Sequence, residues 1–156
     1  MKQVGLGVDI VDIARMEEIL IRTSNFANFT FTEDEISYCN ARGNSVTHFA
    51  THFAAKEATL KCLGTGFLHG IGPKDVEVRH NNSGAPYIVL HGPAKKIADE
   101  MDISNIPISL SYTHTEAVAI AVAMKDEYAR SKVDEVKQQD IASELTAQFK
   151  EAKKLL

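Results

Sequence analysis

Apolar and polar residues alternate with a period of two at the start of the chain. Val4, Leu6, Val8 and Ile10 fall on one side, and Gly5, Gly7, Asp9 and Val11 on the other. That pattern predicts a strand with one apolar face. Asp12 then stands where a helix N-cap belongs, and Ile13, Met16 and Leu20 give the stripe of a short helix. Thr32, followed three residues later by Glu35, predicts a capping box and a second helix. A third helix spans roughly 46–63 and stops at Gly64. Its stripe carries Phe49, Phe53, Leu60 and Leu63, and between them lie Ala50, Ala54, Ala55 and Ala58.

Strands follow at roughly 75–80 and 86–91, joined by a turn through Asn81, Asn82, Ser83 and Gly84. Residues 93–101 are predicted helical, and a last pair of strands covers about 106–113 and 116–124. In the final strand Val118, Ile120, Val122 and Met124 alternate with Ala117, Ala119, Ala121 and Ala123. An all-alanine face admits another backbone at close range, and the alanine-rich third helix is the natural element to lie there. Helices ahead of antiparallel hairpins predict an α+β fold, an antiparallel sheet packed around that long helix.

The pattern changes near residue 126. Residues 126–156 hold 6 basic and 7 acidic side chains and no Gly or Pro, whereas all 9 Gly and all 4 Pro precede them. Residues 1–125 are therefore expected to form the folded domain and 126–156 a helical extension. There Ile141, Leu145, Phe149 and Ala152 recur at helical spacing.

Composition narrows the class. At 156 residues, with 44% hydrophobic and 24% charged side chains, the chain has the material of one globular domain with an appendage. A net charge of −4 and the lack of a basic stripe argue against nucleic-acid binding. No apolar run is long enough for a bilayer, and Asp9 and Asp12 interrupt any signal-peptide core. Two cysteines, Cys39 and Cys62, make neither a disulfide framework nor a zinc ribbon, so a reducing, cytoplasmic setting is expected.

Few residues invite chemistry. Asp9 lies inside an apolar strand, where a carboxylate needs a cation, hydrogen bonds or water. An edge position or a helix cap would also accommodate it. Glu57 and Lys61 are four apart on the third helix, the spacing of an ordinary surface ion pair, but here on a helix rich in alanine. Gly64-Thr65-Gly66 ends that helix, either as a simple cap or as backbone open to a close-lying phosphate. His48 and His52 share zinc-pair spacing without a third ligand. Arg15 and Arg22, seven apart, share a face of the first helix near Glu18, as a solvated face would also allow.

Two of these segments together, GVDIVDIAR (Gly7 to Arg15) and FAAKEATLKCLGTG (Phe53 to Gly66), resemble the phosphopantetheinyl transferases, in particular their short holo-acyl-carrier-protein synthase group. FTEDE (Phe31 to Glu35), SGAPYIVL (Ser83 to Leu90) and ISLSYTHTEAVAIAVA (Ile108 to Ala123) agree, and the likeness spans about 1–125 in order. The resemblance implies transfer of the phosphopantetheine arm of coenzyme A to a serine of apo-acyl carrier protein, with release of 3′,5′-ADP, in support of fatty acid biosynthesis. It implies Asp9 and Glu57 as ligands of Mg²⁺, an ion that favours carboxylates, waters and substrate phosphates. Lys61 would add positive charge beside the same phosphates. The base that takes the serine proton stays open between Glu57 and a water held by the ion.

By the same match Gly64, Gly66 and Pro86 would line the coenzyme A pocket. The first helix, with Arg15 and Arg22, would receive the acidic carrier protein. The group assembles as homotrimers with coenzyme A between subunits, so a homotrimer is expected. Two departures stand out. His52 replaces an arginine common in the family, which would make a phosphate contact pH-sensitive. Tyr112 stands where the family often has histidine. These departures motivate a second reading, a coenzyme A or nucleotide binding module that has lost catalysis. A structural oligomerisation domain is the third.

Overall fold

The structure, a computed structural model, describes residues 5–125 and 146–154. By its internal contacts the chain divides into a unit of residues 1–125 and a unit of residues 126–156. In the second unit residues 146–153 are helical, and Phe149 and Ala152 are exposed. Ile141 and Leu145 of the predicted stripe lie outside the described residues, as does Val4.

The first unit is α+β. It runs β1 (Gly5–Asp12), α1 (Ile13–Arg22), α2 (Phe26–Thr30), α3 (Glu33–Asn40) and α4 (Ser45–Leu63). A short 3₁₀ turn (Pro73–Asp75), β2 (Val76–His80), β3 (Pro86–Leu90), α5 (Gly92–Glu100), β4 (Ile103–Asn105), β5 (Ile108–Tyr112) and β6 (Glu116–Lys125) follow. Strand β6 is the centre of the main sheet: β1 pairs with it on one side, β5 and then β4 on the other, all antiparallel. Strands β2 and β3 form a separate hairpin.

Local chemistry sets these boundaries. The Asp12 carboxylate accepts from the Arg15 amide at 2.8 Å and opens α1. At α3 the reciprocal box is complete, because the Glu35 amide donates to Thr32 Oγ1 and the Thr32 amide to Glu35 Oε2. Helix α4 ends at Gly64, whose φ of +73° is the left-handed conformation that glycine adopts without strain. Two short elements lack a readable pattern in the sequence: α2 is five residues long and β4 three.

The core is built by α4 lying on the sheet. Ala117, Ala119, Ala121 and Ala123 of β6 are fully buried, and so are Ala54, Ala55 and Ala58 of α4. On β1 the packed face is not the apolar one. A Cβ on Gly7 would lie 1.8 Å from the Ala58 carbonyl oxygen, and one on Gly5 1.9 Å from that of Cys62. Hydrogen alone fits there, so the helix backbone rides directly on the strand. The branched side chains consequently face out: Leu6, Val8 and Ile10 are 69%, 55% and 59% exposed. They pair across the strands with Val122, Ile120 and Val118, which makes the outer sheet face a continuous apolar surface.

Candidate active site

Helix α4 carries two charged assemblies on different sides. Lys56 is wholly buried, and its ammonium donates to Glu35 Oε2 at 2.8 Å and to the carbonyls of Pro73 and Val76. Burial alone would push Glu35 up. The close approach of His52, 3.3 Å from Oε1, and the charge of Lys56 outweigh it and hold the carboxyl below its ordinary value. Burial draws Lys56 down, against the charge and the hydrogen bond of Glu35. Glu35 Oε1 also accepts the Val78 amide at 3.1 Å, so the pair ties α3, α4 and β2 together.

One residue on, α4 turns its chemistry outward. Glu57 and Asp9 line a cavity of about 550 Å³ bounded by β1, α1, α2 and α4. Burial and, next, the charge of Asp9 hold Glu57 above its ordinary value, with Lys61 opposing them. Lys61 takes Asp9 as its ion-pair partner: Nζ lies 2.7 Å from Asp9 Oδ1 and 3.0 Å from the Val8 carbonyl oxygen. Strand β1 aims Asp9 this way because Asp9 shares the face of Gly5 and Gly7 that α4 covers. Arg15 and Arg22 line the same cavity, with Phe26 and Phe53 as part of its apolar wall. Arg22 is also held by Glu18 at 2.8 Å in an exposed pair.

The remaining sequence candidates lie elsewhere. Pro86 and Tyr112 line a second cavity of about 300 Å³ together with Tyr38, His48 and His80. His52 does not open into it. It is fully buried beside the Glu35 carboxylate, at 3.3 Å, and stacked against Tyr38 and His80. Gly64 and Gly66 have positive φ at the end of α4 and line neither cavity. The aromatic cluster was not legible in advance. Tyr38 and His80, far apart in sequence, stack at 3.9 Å, and Arg42, four residues past Tyr38, sits 4.0 Å above the Tyr38 ring. Burial and the charges of His52, Arg42 and His48 push His80 down to about 4.

The donor set suits a hard divalent ion. Two carboxylates face one cavity, and no group of three or more His, Cys, Asp or Glu able to hold a metal occurs among the described residues. Such a pair leaves coordination positions for waters and substrate phosphates, which is how Mg²⁺ is commonly held. No helix among the described residues is long and apolar enough to cross a membrane.

The sequence and the fold of this unit match a known class. The sequence profile of the 4′-phosphopantetheinyl transferase superfamily covers residues 5–123, and the chain belongs to that family. Within it, the chain is similar to holo-[acyl-carrier-protein] synthase of Thermoanaerobacter sp. (strain X514), with 40% identity over 133 residues, 83% of this chain and 96% of the relative. The solved holo-[acyl-carrier-protein] synthase of Neisseria meningitidis superposes with a TM-score of 0.70 at 32% identity, covering 78% of this chain and 98% of that one. The Helicobacter pylori enzyme, solved in complex with coenzyme A, gives 0.66 at 29% identity over 76% of this chain and 99% of that one.

Proposed function

We propose that the chain transfers the 4′-phosphopantetheine arm of coenzyme A to a serine of an apo-acyl carrier protein and releases 3′,5′-ADP, in support of fatty acid biosynthesis. The observation that carries this reading is the meeting of Asp9, Glu57, Arg15 and Arg22 on one cavity, in a chain of this family. In the reaction the serine oxygen forms a bond to the phosphorus next to the pantetheine arm. The bond from that phosphorus to the oxygen of 3′,5′-ADP breaks, and the serine proton leaves to a base.

Asp9 and Glu57 would hold Mg²⁺, which supplies charge neutralisation on the reacting phosphates. The base that takes the serine proton would be Glu57 or a water at the same site. Lys61, 51% exposed, has the reach to add positive charge beside the phosphates. Arg15 and Arg22 border the cavity mouth, where they favour an acidic carrier protein. Pro86 and Tyr112 would line the coenzyme A pocket through the second cavity, and Gly64 and Gly66, which line neither cavity within one chain, would join it from a neighbouring subunit. In this reading His52 acts from beneath, through the Tyr38–His80 stack, rather than by touching a phosphate.

The working unit we propose is a homotrimer in the cytoplasm. Its support is the outer face of the sheet: a folded monomer rarely leaves three branched side chains such as Leu6, Val8 and Ile10 this exposed in one row.

The test is to incubate the protein with coenzyme A, Mg²⁺ and an apo-acyl carrier protein and weigh the carrier. A mass gain equal to the phosphopantetheine arm, dependent on the divalent ion, is expected. Coenzyme A binding without any gain would leave only the binding module, and neither event would leave only an oligomerisation domain.

A further inference from the structure

We infer that Lys61 is an internal counter-cation for Asp9 that a divalent ion displaces, so that loading the ion frees the ammonium for the substrate phosphates. The inference rests on the metal role proposed above for Asp9 and Glu57, and it adds an exchange step to it.

The geometry carries it. Lys61 Nζ is bonded to two acceptors of adjacent β1 residues, Asp9 Oδ1 at 2.7 Å and the Val8 carbonyl at 3.0 Å. Asp9 is 15% exposed, and Lys61 is the cation bonded to it among the described residues. The ammonium therefore occupies Oδ1 of the carboxylate that would hold a divalent ion. A divalent ion drawn to Asp9 would repel the ammonium at such short range, which favours exchange over sharing of the carboxylate. Lysine suits a temporary post. It is a compact point charge on a flexible four-carbon stem, and here that side chain is half exposed. Among the described residues the other carboxylate, Glu57, has no comparable ion-pair partner. Asp9, Glu57 and Lys61 together sum to one negative charge, which a divalent ion over-compensates, and the released ammonium adds to the positive field facing an incoming pyrophosphate.

The consequence is reciprocal coupling. The ion competes with Lys61 when alone, and phosphates draw Lys61 away and so favour the ion. By linkage, each ligand strengthens the other by the same factor.

Mn²⁺ titrations of the full-length protein without coenzyme A, read by electron paramagnetic resonance, test it on the wild type, Lys61→Met and Asp9→Asn. Lys61→Met is expected to bind Mn²⁺ about tenfold more tightly, within the usual range of coupling between sites. Mn²⁺ affinity equal to or weaker than wild type in Lys61→Met, with binding lost in Asp9→Asn, overturns the exchange and leaves the metal role standing. Wild-type affinity in Asp9→Asn overturns both. Nitrogen-15 NMR of the lysine ammonium groups gives a direct second readout. Lys61 should show a protected signal in the free protein that disappears when Mg²⁺ is added; a signal that persists at saturating Mg²⁺ overturns the exchange.

Discussion

Lys56 and Glu57 are neighbours in sequence and carry opposite fates. Lys56 and its partner Glu35 have side chains with no exposure at all, sealed between α3, α4 and β2. Glu57 shares a cavity of about 550 Å³ with Asp9, whose ammonium partner Lys61 is 51% exposed. The step of about 100° from one residue to the next on a helix separates a closed ion pair from an open one. The same functional groups thus do different work. The closed pair has its hydrogen bonds satisfied by backbone and gains nothing from a ligand. The open set keeps carboxylate oxygens within reach of solvent, ions and phosphates. Chemical function here follows access rather than residue type.

The contrast breaks most visibly at Lys56. Lys56→Met leaves the Glu35 carboxylate buried without its cation, and a loss of about 3–5 kcal/mol in unfolding free energy is expected from denaturant titration. Lys61→Met, on the open side, should change stability by less than about 1 kcal/mol, because the lysine of its pair with Asp9 is half exposed. Similar losses for the two variants would erase the distinction between the pairs.

A second break tests the close contact that brings Asp9 toward α4. Gly7→Ala puts a methyl 1.8 Å from the Ala58 carbonyl oxygen, so strand and helix must part. The expected cost is about 3 kcal/mol, read from the thermal midpoint, with a matching loss of Mn²⁺ affinity. An unaffected midpoint would mean that the helix does not rest on the strand backbone.

Much of this fold was legible because it was written in period and in caps. The alanine face of β6 and the alanine-rich α4 announced that they would meet, and Asp12, Thr32 with Glu35, and Gly64 marked the helix ends where they occur. Asp9, Glu57, Arg15 and Arg22 were singled out in sequence and line one cavity. What stayed hidden depended on long-range partners. Nothing local says that Glu35, legible as a capping residue, also receives Lys56 from 21 positions away. Nor does local pattern say that Gly5 and Gly7, not Leu6 and Val8, form the packed side of β1, since the deciding contact is a carbonyl of another element. His52 shows the same limit: its place in the motif suggests a phosphate contact, whereas its side chain lies beneath the Tyr38–His80 stack.

Smaller effects sharpen the picture. His80 is held down to about 4, from an ordinary 6.5, so it is neutral in the fold where the unfolded chain takes up a proton. Stability should therefore be full above about pH 6.5 and fall as the pH drops toward 4. Glu35, held below its ordinary 4.5, loses its contribution further down, as the pH passes below 4.5 and through the lowered value. Denaturant titrations across this range should show the upper limb flattened in His80→Gln; a limb of unchanged slope would contradict it. At the cavity mouth, Arg15→Glu with Arg22→Glu should weaken carrier-protein binding by about tenfold at low salt and leave coenzyme A binding near wild type. Equal loss of both would mean that α1 is not the docking helix.

The most direct measurement is the transfer rate of Glu57→Gln, followed by the mass of the carrier protein at saturating Mg²⁺ and coenzyme A. A fall of about a hundredfold or more is expected with the melting midpoint kept, because the substitution removes a charge from the open set and leaves the closed pair whole. A rate within about twofold of wild type, in a protein equally well folded, would contradict it.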